Sequence, residues 1–188
     1  MRRLMVSEFI TLDGVVEAPG GEPGHPNTGW VFDYHGPALE RYKAQELREA
    51  ESMLLGRVTY EGFAEAWPPR TGEIADRLNA MPKHVVSSTL APPLAWSNST
   101  LLTGDAATAV AELKRGEGGP ILVHGSATLA RSLLEAGLVD DLRLMIFPVM
   151  VGGGGGIFPG AFRTSAFTLA ESETVLPDVL ALTYRRAG

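Results

Sequence analysis

Hydrophobic residues in this chain follow two rhythms that take turns. Residues 4–12 form a mostly apolar run and predict a first strand. From 37 to 51, "PALERYKAQELREAE" spaces Leu39, Tyr42 and Leu47 along one helical face, with charges elsewhere. "SMLLG" (52–56) reads as a buried strand, and "VTYEGFAEAW" (58–67) as a short helix halted by Pro68 and Pro69. "TGEIADRLNAM" (71–81) predicts another helix with Thr71 as its cap, and "KHVVSSTL" (83–90) a strand running into a turn. "STLLTG" (99–104) is a further short strand. "DAATAVAELKRG" (105–116) is a helix capped by Asp105, with Lys114 and Arg115 suiting its negative end. "GPILVHGS" (119–126) is a strand, and "SATLARSLLEAG" (126–137) a helix that starts at Ser126 and stops at Gly137. "VDDLRLMIFPVMV" (139–151) predicts a long strand, and residues 167–186 two strands joined by a turn at Pro177-Asp178.

Alternating strands and helices require parallel strands with helices on the sheet faces, and the final strands add antiparallel partners at one edge. The predicted fold is a three-layer α/β/α arrangement. Its sheet is mixed but mostly parallel, with an antiparallel C-terminal hairpin, in a single domain over 1–188. Residues 17–30, "EAPGGEPGHPNTGW", hold too much proline and glycine for regular structure. So long a loop in a small domain is either functional or disordered, and the aromatics that follow it either meet a ligand or simply cover the core. Trp30, Phe32 and Tyr34 follow at alternate positions, so they share one face if the segment is extended.

Composition removes several function classes. Across 188 residues the hydrophobic share is 45%, the charged share 20% and the formal net charge -6, which argues against a general nucleic-acid binder. There is no cysteine, so disulfides, thiolate zinc sites and cysteine nucleophiles are excluded. The N-terminal apolar run breaks at Ser7 and Glu8, which makes a poor signal peptide. No apolar run approaches membrane-spanning length, so cytoplasmic residence is the expectation.

Chemistry narrows to the junctions between strands and helices. No phosphate-loop motif is present, and Ile157 breaks the dinucleotide fingerprint that the glycine run 152–156 would otherwise approach. The four histidines show no metal-binding spacing, and His124 stands where a nucleophile elbow before Ser126 needs glycine. What remains is Gly56-Arg57 before a helix, Ser87-Ser88-Thr89 after a strand, and Gly125-Ser126 before a helix. In a parallel sheet the carboxyl ends of strands share one edge, where ligands bind. Helix starts offer free N–H groups to phosphate, and arginine adds a planar fork. Taken alone, each junction is better explained by turn chemistry.

The chain resembles the dihydrofolate reductase superfamily, and within it the branch of the riboflavin-biosynthesis reductase domain and its stand-alone relatives. The resemblance rests on "SEFITLDGVV", "LLGRVTYEGF", "KHVVSSTL", "ILVHGSATLARSLLEAGLVDDLRLMIFPVMVGGGGGIF" and the closing hairpin, in that order. It implies a dihydrofolate-reductase-like fold and an NADPH cofactor. It gives Arg57 to the 2'-phosphate and Thr59 to the pyrophosphate, with Gly56 as the joint. Ser87 and Ser88 go to the adenosine side, Gly125, Ser126, Ala127 and Thr128 to the pyrophosphate and nicotinamide, and Val16 to the nicotinamide. Asp13 matches an aspartate shared with the riboflavin branch. Glu40 matches loosely the acid that holds the pterin in dihydrofolate reductase itself.

No arginine matches the one that holds a folate tail, so folate reduction is not expected. The expected activity is NADPH-dependent reduction of a small heterocyclic (pterin- or pyrimidine-like) or carbonyl substrate. A proton would come from water, Asp13, Asp33 or Glu40. Trp30, Phe32 and Tyr34 on one side, with Pro148, Gly152 and Gly153 on the other, are the expected substrate walls. Relatives of this branch imply a homodimer. Two other classes remain open: an NADP-binding sensor without turnover, and a hydrolase using Ser126.

Overall fold

A computed structural model of the chain describes residues 1–158 and 164–187. In chain order the elements are β1 (Leu4–Thr11), α1 (Pro37–Glu49), β2 (Ser52–Gly56), α2 (Arg57–Ala66), α3 (Glu73–Ala80), β3 (Lys83–Val86), β4 (Ser99–Leu102), α4 (Ala106–Arg115), β5 (Ile121–His124), α5 (Ala127–Glu135), β6 (Asp141–Phe147), β7 (Phe167–Leu176) and β8 (Val179–Arg186). They build an eight-stranded sheet in the order β4-β3-β2-β5-β1-β6-β8-β7. The pairs from β4 to β6 are all parallel, and β8 runs antiparallel to both β6 and β7.

β1, β2 and β5 are buried on both faces by helices, so their apolar residues do not alternate with polar ones, although β1 carries the buried polar residues Ser7 and Glu8. On one face Leu4, Val6, Leu54 and Val123 pack with Val110 of α4 and Leu129 and Leu133 of α5. On the other, Met5, Met53, Leu55 and Leu122 pack with Leu47 of α1, Tyr60 of α2 and Leu78 of α3. A third cluster, around Phe147, fastens the loop before α1 to β6 and β8.

Three local expectations change, and the expected turn after β3 is found. Gly72, not Thr71, takes the N-cap of α3, and no side chain caps that helix. β3 ends at Val86 because the Ser87 hydroxyl accepts from the N–H groups of Thr89 (3.1 Å) and Leu90 (3.0 Å), which folds the chain into a turn. β6 ends at Phe147, where Pro148 follows and Val149 N donates back to the Phe147 carbonyl at 2.8 Å. Residues 30–34 are turns, so the three aromatics do not share a face.

Lys83 is fully buried, 0% exposed, in a strand where an apolar residue would be expected. Its ammonium donates to the carbonyls of Asn79 (3.1 Å), Met81 (2.8 Å) and Ser97 (3.0 Å), which spends all three donors. It also lies 4.3 Å from the ring centre of Trp96, and burial lowers its pKa to about 8. One side chain thus ties the end of α3, the start of β3 and the 97 loop together. Lys83→Met leaves those carbonyls without their donor, and is expected to cost roughly 3 kcal/mol and lower the Tm by on the order of 10 °C. A thermal melt within 2 °C or so of the parent would show that the tie contributes little.

Candidate functional site

The parallel topology brings the carboxyl ends of β3, β2, β5, β1 and β6 to one edge, in that order. Gly56 ends β2 opposite Val86 of β3, so Arg57 and Ser87 leave neighbouring strands. The β2 and β5 junctions are locked to each other. The Gly56 N–H donates to the Ser126 hydroxyl at 2.9 Å, across 70 residues of sequence. A Cβ on Gly56 would stand 3.5 Å from Ser126 Oγ, and one on Gly125 would stand 3.5 Å from Thr59 Cγ2, both ordinary van der Waals contacts, so at Gly125 the positive φ rather than space favours glycine.

Backbone strain marks the same place. Gly125 has φ +66° and Ser126 φ +65°, both left-handed. For serine that conformation costs about 1–2 kcal/mol. Ser126 is the N-cap of α5, yet its hydroxyl serves Gly56 and caps nothing in its own helix. α2, entered from Gly56, also has no side-chain cap. Two helix starts therefore meet with their first N–H groups unspent by side chains, an arrangement suited to an anion.

Beside them runs a row of rings across the strand ends. Trp30 and Tyr34 meet Phe147 edge-on at 5.5 and 5.4 Å. Phe147 meets Phe9 at 5.0 Å, Phe9 meets His124 at 6.4 Å, and His124 meets Phe63 of α2 at 6.0 Å. Under α1 these rings adjoin a buried polar cluster. Lys43 pairs with Glu46 and donates to the Ser7 hydroxyl at 3.2 Å, while Arg143 of β6 approaches Glu46 at 3.8 Å. His124 Nδ1, Glu46 Oε1 and, on β1, Glu8 Oε1 are buried without a hydrogen-bond partner. Burial, aided by the Lys43 charge, pushes the His124 pKa down to about 3, so its ring is neutral at pH 7.

The residues singled out from sequence sort as follows. Arg57 is half-exposed and pairs with Glu61 at 2.8 Å within α2. Ser87 is buried and spent on its turn, whereas Ser88 is exposed. Gly56, Thr59, Gly125, Ser126 and Ala127 gather at the α2–α5 junction, and Thr128 follows as an exposed residue of α5's first turn. Val16 is 4% exposed, with its side chain in the core. Trp30 is buried and its indole N–H donates to the Glu17 carbonyl at 3.0 Å, so it anchors the loop; Phe32, 62% exposed, is open to solvent. Tyr34 packs on Phe147 beside Pro148.

Asp13 is a strap rather than a free acid. Its carboxylate accepts from the Thr11 hydroxyl (2.5 Å), Gly152 N (2.8 Å) and Val151 N (3.3 Å), and these bonds lower its pKa. It joins the end of β1 to the glycine run. That run packs tightly: a Cβ on Gly155 would lie 2.5 Å from Glu17 Oε1, and one on Gly156 3.0 Å from the Gly14 carbonyl. Only open space would meet a Cβ on Gly152 or Gly153. Glu40 is exposed in the first turn of α1 and makes no side-chain hydrogen bond among the described residues. The groups that the sequence reading passed over are Phe9, Lys43, Glu46, Phe63 and His124. A charged pair inside the apolar stripe of α1, between Leu39 and Leu47, was the available signal.

Sequence and structural comparisons place the chain and its fold. The chain is 25% identical, over its full length and 96% of the relative's, to YyaP, an uncharacterised protein of Bacillus subtilis (strain 168). Its fold matches a candidate riboflavin biosynthesis protein from Shewanella sp. PV-4 with a TM-score of 0.78 at 21% identity, over 99% of both chains. It also matches dihydrofolate reductase from Enterococcus faecalis in complex with NADP(H), with a TM-score of 0.63 at 16% identity, over 99% of this chain and 97% of that one. The sheet order and these fold matches accord with the family match over residues 2–181: the chain belongs to the RibD C-terminal domain family, on a dihydrofolate-reductase-like fold.

Proposed function

We propose that the protein is an NADPH-dependent reductase of a small heterocyclic or carbonyl compound. The observation that carries this reading is the α2–α5 junction. Two helix starts without side-chain caps are held together by the Ser126–Gly56 hydrogen bond, at the strand edge, next to a floor of rings. The residues present fit the group: the uncapped N–H ends of α2 and α5 would hold a diphosphate, Gly125 beside Thr59 would let it come close, and the half-exposed Arg57 would take the adenosine-side phosphate. Family membership and the NADP(H) complex of the Enterococcus faecalis neighbour support the same cofactor. Bound there, NADPH would supply hydride to the carbon of a C=N or C=O group, whose nitrogen or oxygen takes a proton from water.

The chain's own part is orientation and exclusion of water. Trp30 and Tyr34 pin the 17–34 loop onto Phe147, and Asp13 pins the glycine run, so both sides of the substrate space are fixed before binding. Phe32 stays free to cover a flat ring. Asp13, held ionised by its hydrogen bonds, suits positioning better than proton donation. Ser126 gives no support to a hydrolase, since its hydroxyl accepts from Gly56 N and no histidine bonds to it among the described residues. Titration with NADPH, followed by NADPH oxidation across carbonyl and imine compounds, tests the reading. Binding without any turnover would favour a sensor, and no binding would refute the cofactor.

The same proposal includes a homodimer residing in the cytoplasm. β7 is a ten-residue edge strand exposed along most of its length. On the face shared by β6, β8 and β7, Leu144 pairs with Leu182 and Ile146 with Leu180, and Leu180 (38%) and Leu169 (49%) are solvent-exposed. A second copy would cover this apolar face. Light scattering is expected to give about twice the 20.0 kDa chain mass, and Leu180→Lys to shift it toward the monomer. A monomer at micromolar concentration removes the proposal.

A further inference from the structure

α5 reaches the glycine run through one polar side chain. Arg131 Nη2 donates to the Gly156 carbonyl at 2.8 Å, across 25 residues of sequence. Among the described residues, no other helix side chain bonds to residues 152–156. Gly156 in turn forms an antiparallel bridge with Val15, and the Gly155 carbonyl accepts from Val16 N at 3.0 Å. Gly155 N donates to the Glu17 carboxylate at 2.6 Å. Segments 15–17 and 154–156 thus form a small wall with little slack: a Cβ on Gly154 would lie 2.7 Å from Val15 Cγ1.

A tie made by arginine costs stability here. Its Nε is buried with no hydrogen-bond partner, whereas an apolar side chain at this position would strand no donor. Local costs of this kind are expected where a residue serves function. Strand order indicates what the wall meets. Arg57 leaves β2 beside β3, and the starts of α2 and α5 lie at the neighbouring β2 and β5 ends. A dinucleotide with one end at Arg57 and its diphosphate at those starts would carry its second ring farther along the edge, to the end of β1. Beyond that end the chain continues into the 15–17 wall. Arg131 stands four residues, about 6 Å, along α5 from Ala127. We propose that Arg131 is a positioning residue: acting through Gly156, it fixes this wall at a set distance from the start of α5, so that a cofactor held by its diphosphate finds a preformed surface for its nicotinamide ring. This inference rests on the reductase reading of the same edge, which it deepens by naming what holds the cofactor's reactive end still.

Two ligands test it: NADPH, and 2'-phospho-ADP-ribose, the same nucleotide without the nicotinamide. Both are titrated by calorimetry into the full chain and its variants, and the ratio of the two affinities isolates what the ring contributes. The parent is expected to bind NADPH the more tightly. Arg131→Leu should lower the ratio about three- to tenfold, because the wall must then be ordered on binding. Affinity for 2'-phospho-ADP-ribose should stay within about twofold of the parent's. Arg131→Lys, which keeps a donor for the Gly156 carbonyl, should keep most of the ratio. The emission anisotropy of bound NADPH, which reports the ring's freedom, should fall in Arg131→Leu and hold in Arg131→Lys. Arg131→Met, which keeps a long apolar stem, is measured alongside with circular dichroism, so that loss of fold in one variant leaves the other to decide. Equal affinities for the two ligands in the parent, an unchanged ratio in a folded variant, or equal loss of both affinities overturns the proposal. So does failure of both the Leu and Met variants to fold, since Arg131 would then serve the fold alone. A parent that binds neither ligand refutes the cofactor reading itself, whereas binding of both with a ratio indifferent to Arg131 refutes only the role given to this residue.

Discussion

Arg57→Ala is expected to weaken NADPH binding about 10- to 150-fold while leaving NADH binding unchanged, the range that one charge-assisted contact of roughly 1.5–3 kcal/mol supplies. Arg57 opens α2 at the edge next to Ser87 and Ser88, and its guanidinium is half-exposed. Its resting partner is Glu61, one helical turn away at 2.8 Å. Exposed pairs of this kind contribute about 0–1 kcal/mol, so a doubly charged phosphate outcompetes Glu61. Removing the competitor should act in the opposite direction: Glu61→Gln is expected to raise NADPH affinity a few-fold, again without changing NADH. Fluorescence titration of both cofactors against the three proteins decides the matter. Equal affinities for NADPH and NADH in the parent would take the 2'-phosphate away from Arg57. Of the two serines, Ser88 is the free one, because Ser87 is committed to its turn.

The second large effect is on stability, and it depends on pH. Glu8 lies 3% exposed in the middle of the sheet, and its Oε1 has no partner. Burial is the main reason its pKa rises from 4.5 to about 8, with Lys43 opposing and Glu46 adding to the shift. Below pH 4.5 the carboxyl is protonated both folded and unfolded, so its burial carries no ionic penalty. Between pH 4.5 and about 8 the folded chain keeps a proton that the unfolded chain loses, so stability falls as pH rises. Above that window the loss is complete and the slope ends. At about 1.4 kcal/mol per pKa unit, the loss is on the order of 5 kcal/mol.

Glu8→Leu should therefore melt near the parent at pH 5 and on the order of 10 °C above it at pH 9. His124, whose pKa is lowered, acts the other way and lower on the scale: it gives up stability as pH falls from 6.5 toward about 3. The two effects separate above pH 6.5, where only Glu8 of this pair still titrates. A constant Tm difference between pH 5 and pH 9 would show that Glu8 does not titrate as described.

Pattern made the layers legible, and interaction decided the rest. Period and punctuation located all thirteen helices and strands that the described residues form, and the alternation alone implied a parallel sheet with a closing hairpin. Strand order carried no such signal, because β1 takes its neighbours from β5 and β6, more than a hundred residues away. Ends were misjudged where backbone geometry intervened, as after Phe147. The aromatic trio failed for a simple reason: alternate spacing means a shared face only in extended chain, and turns rotate Phe32 away from Trp30 and Tyr34. At the site, glycine and serine junctions could be read because backbone needs constrain them. Lys43 and Glu46 could not, since a charge on a helix reads as solvated until something shows what covers it.

The place of β1 carries a consequence for synthesis. Its register ties Leu4 to Ile121 and Met5 to Asp141, so the most deeply buried strand is translated well before either neighbour exists. At ribosomal rates of about 5–20 residues per second, β1 waits on the order of 10 s with both edges unpaired. Its hydrogen-bonding groups and apolar side chains are open to other chains throughout that wait. Nascent or truncated chains ending before residue 141, rather than the finished protein, are therefore the forms that need a chaperone's shelter.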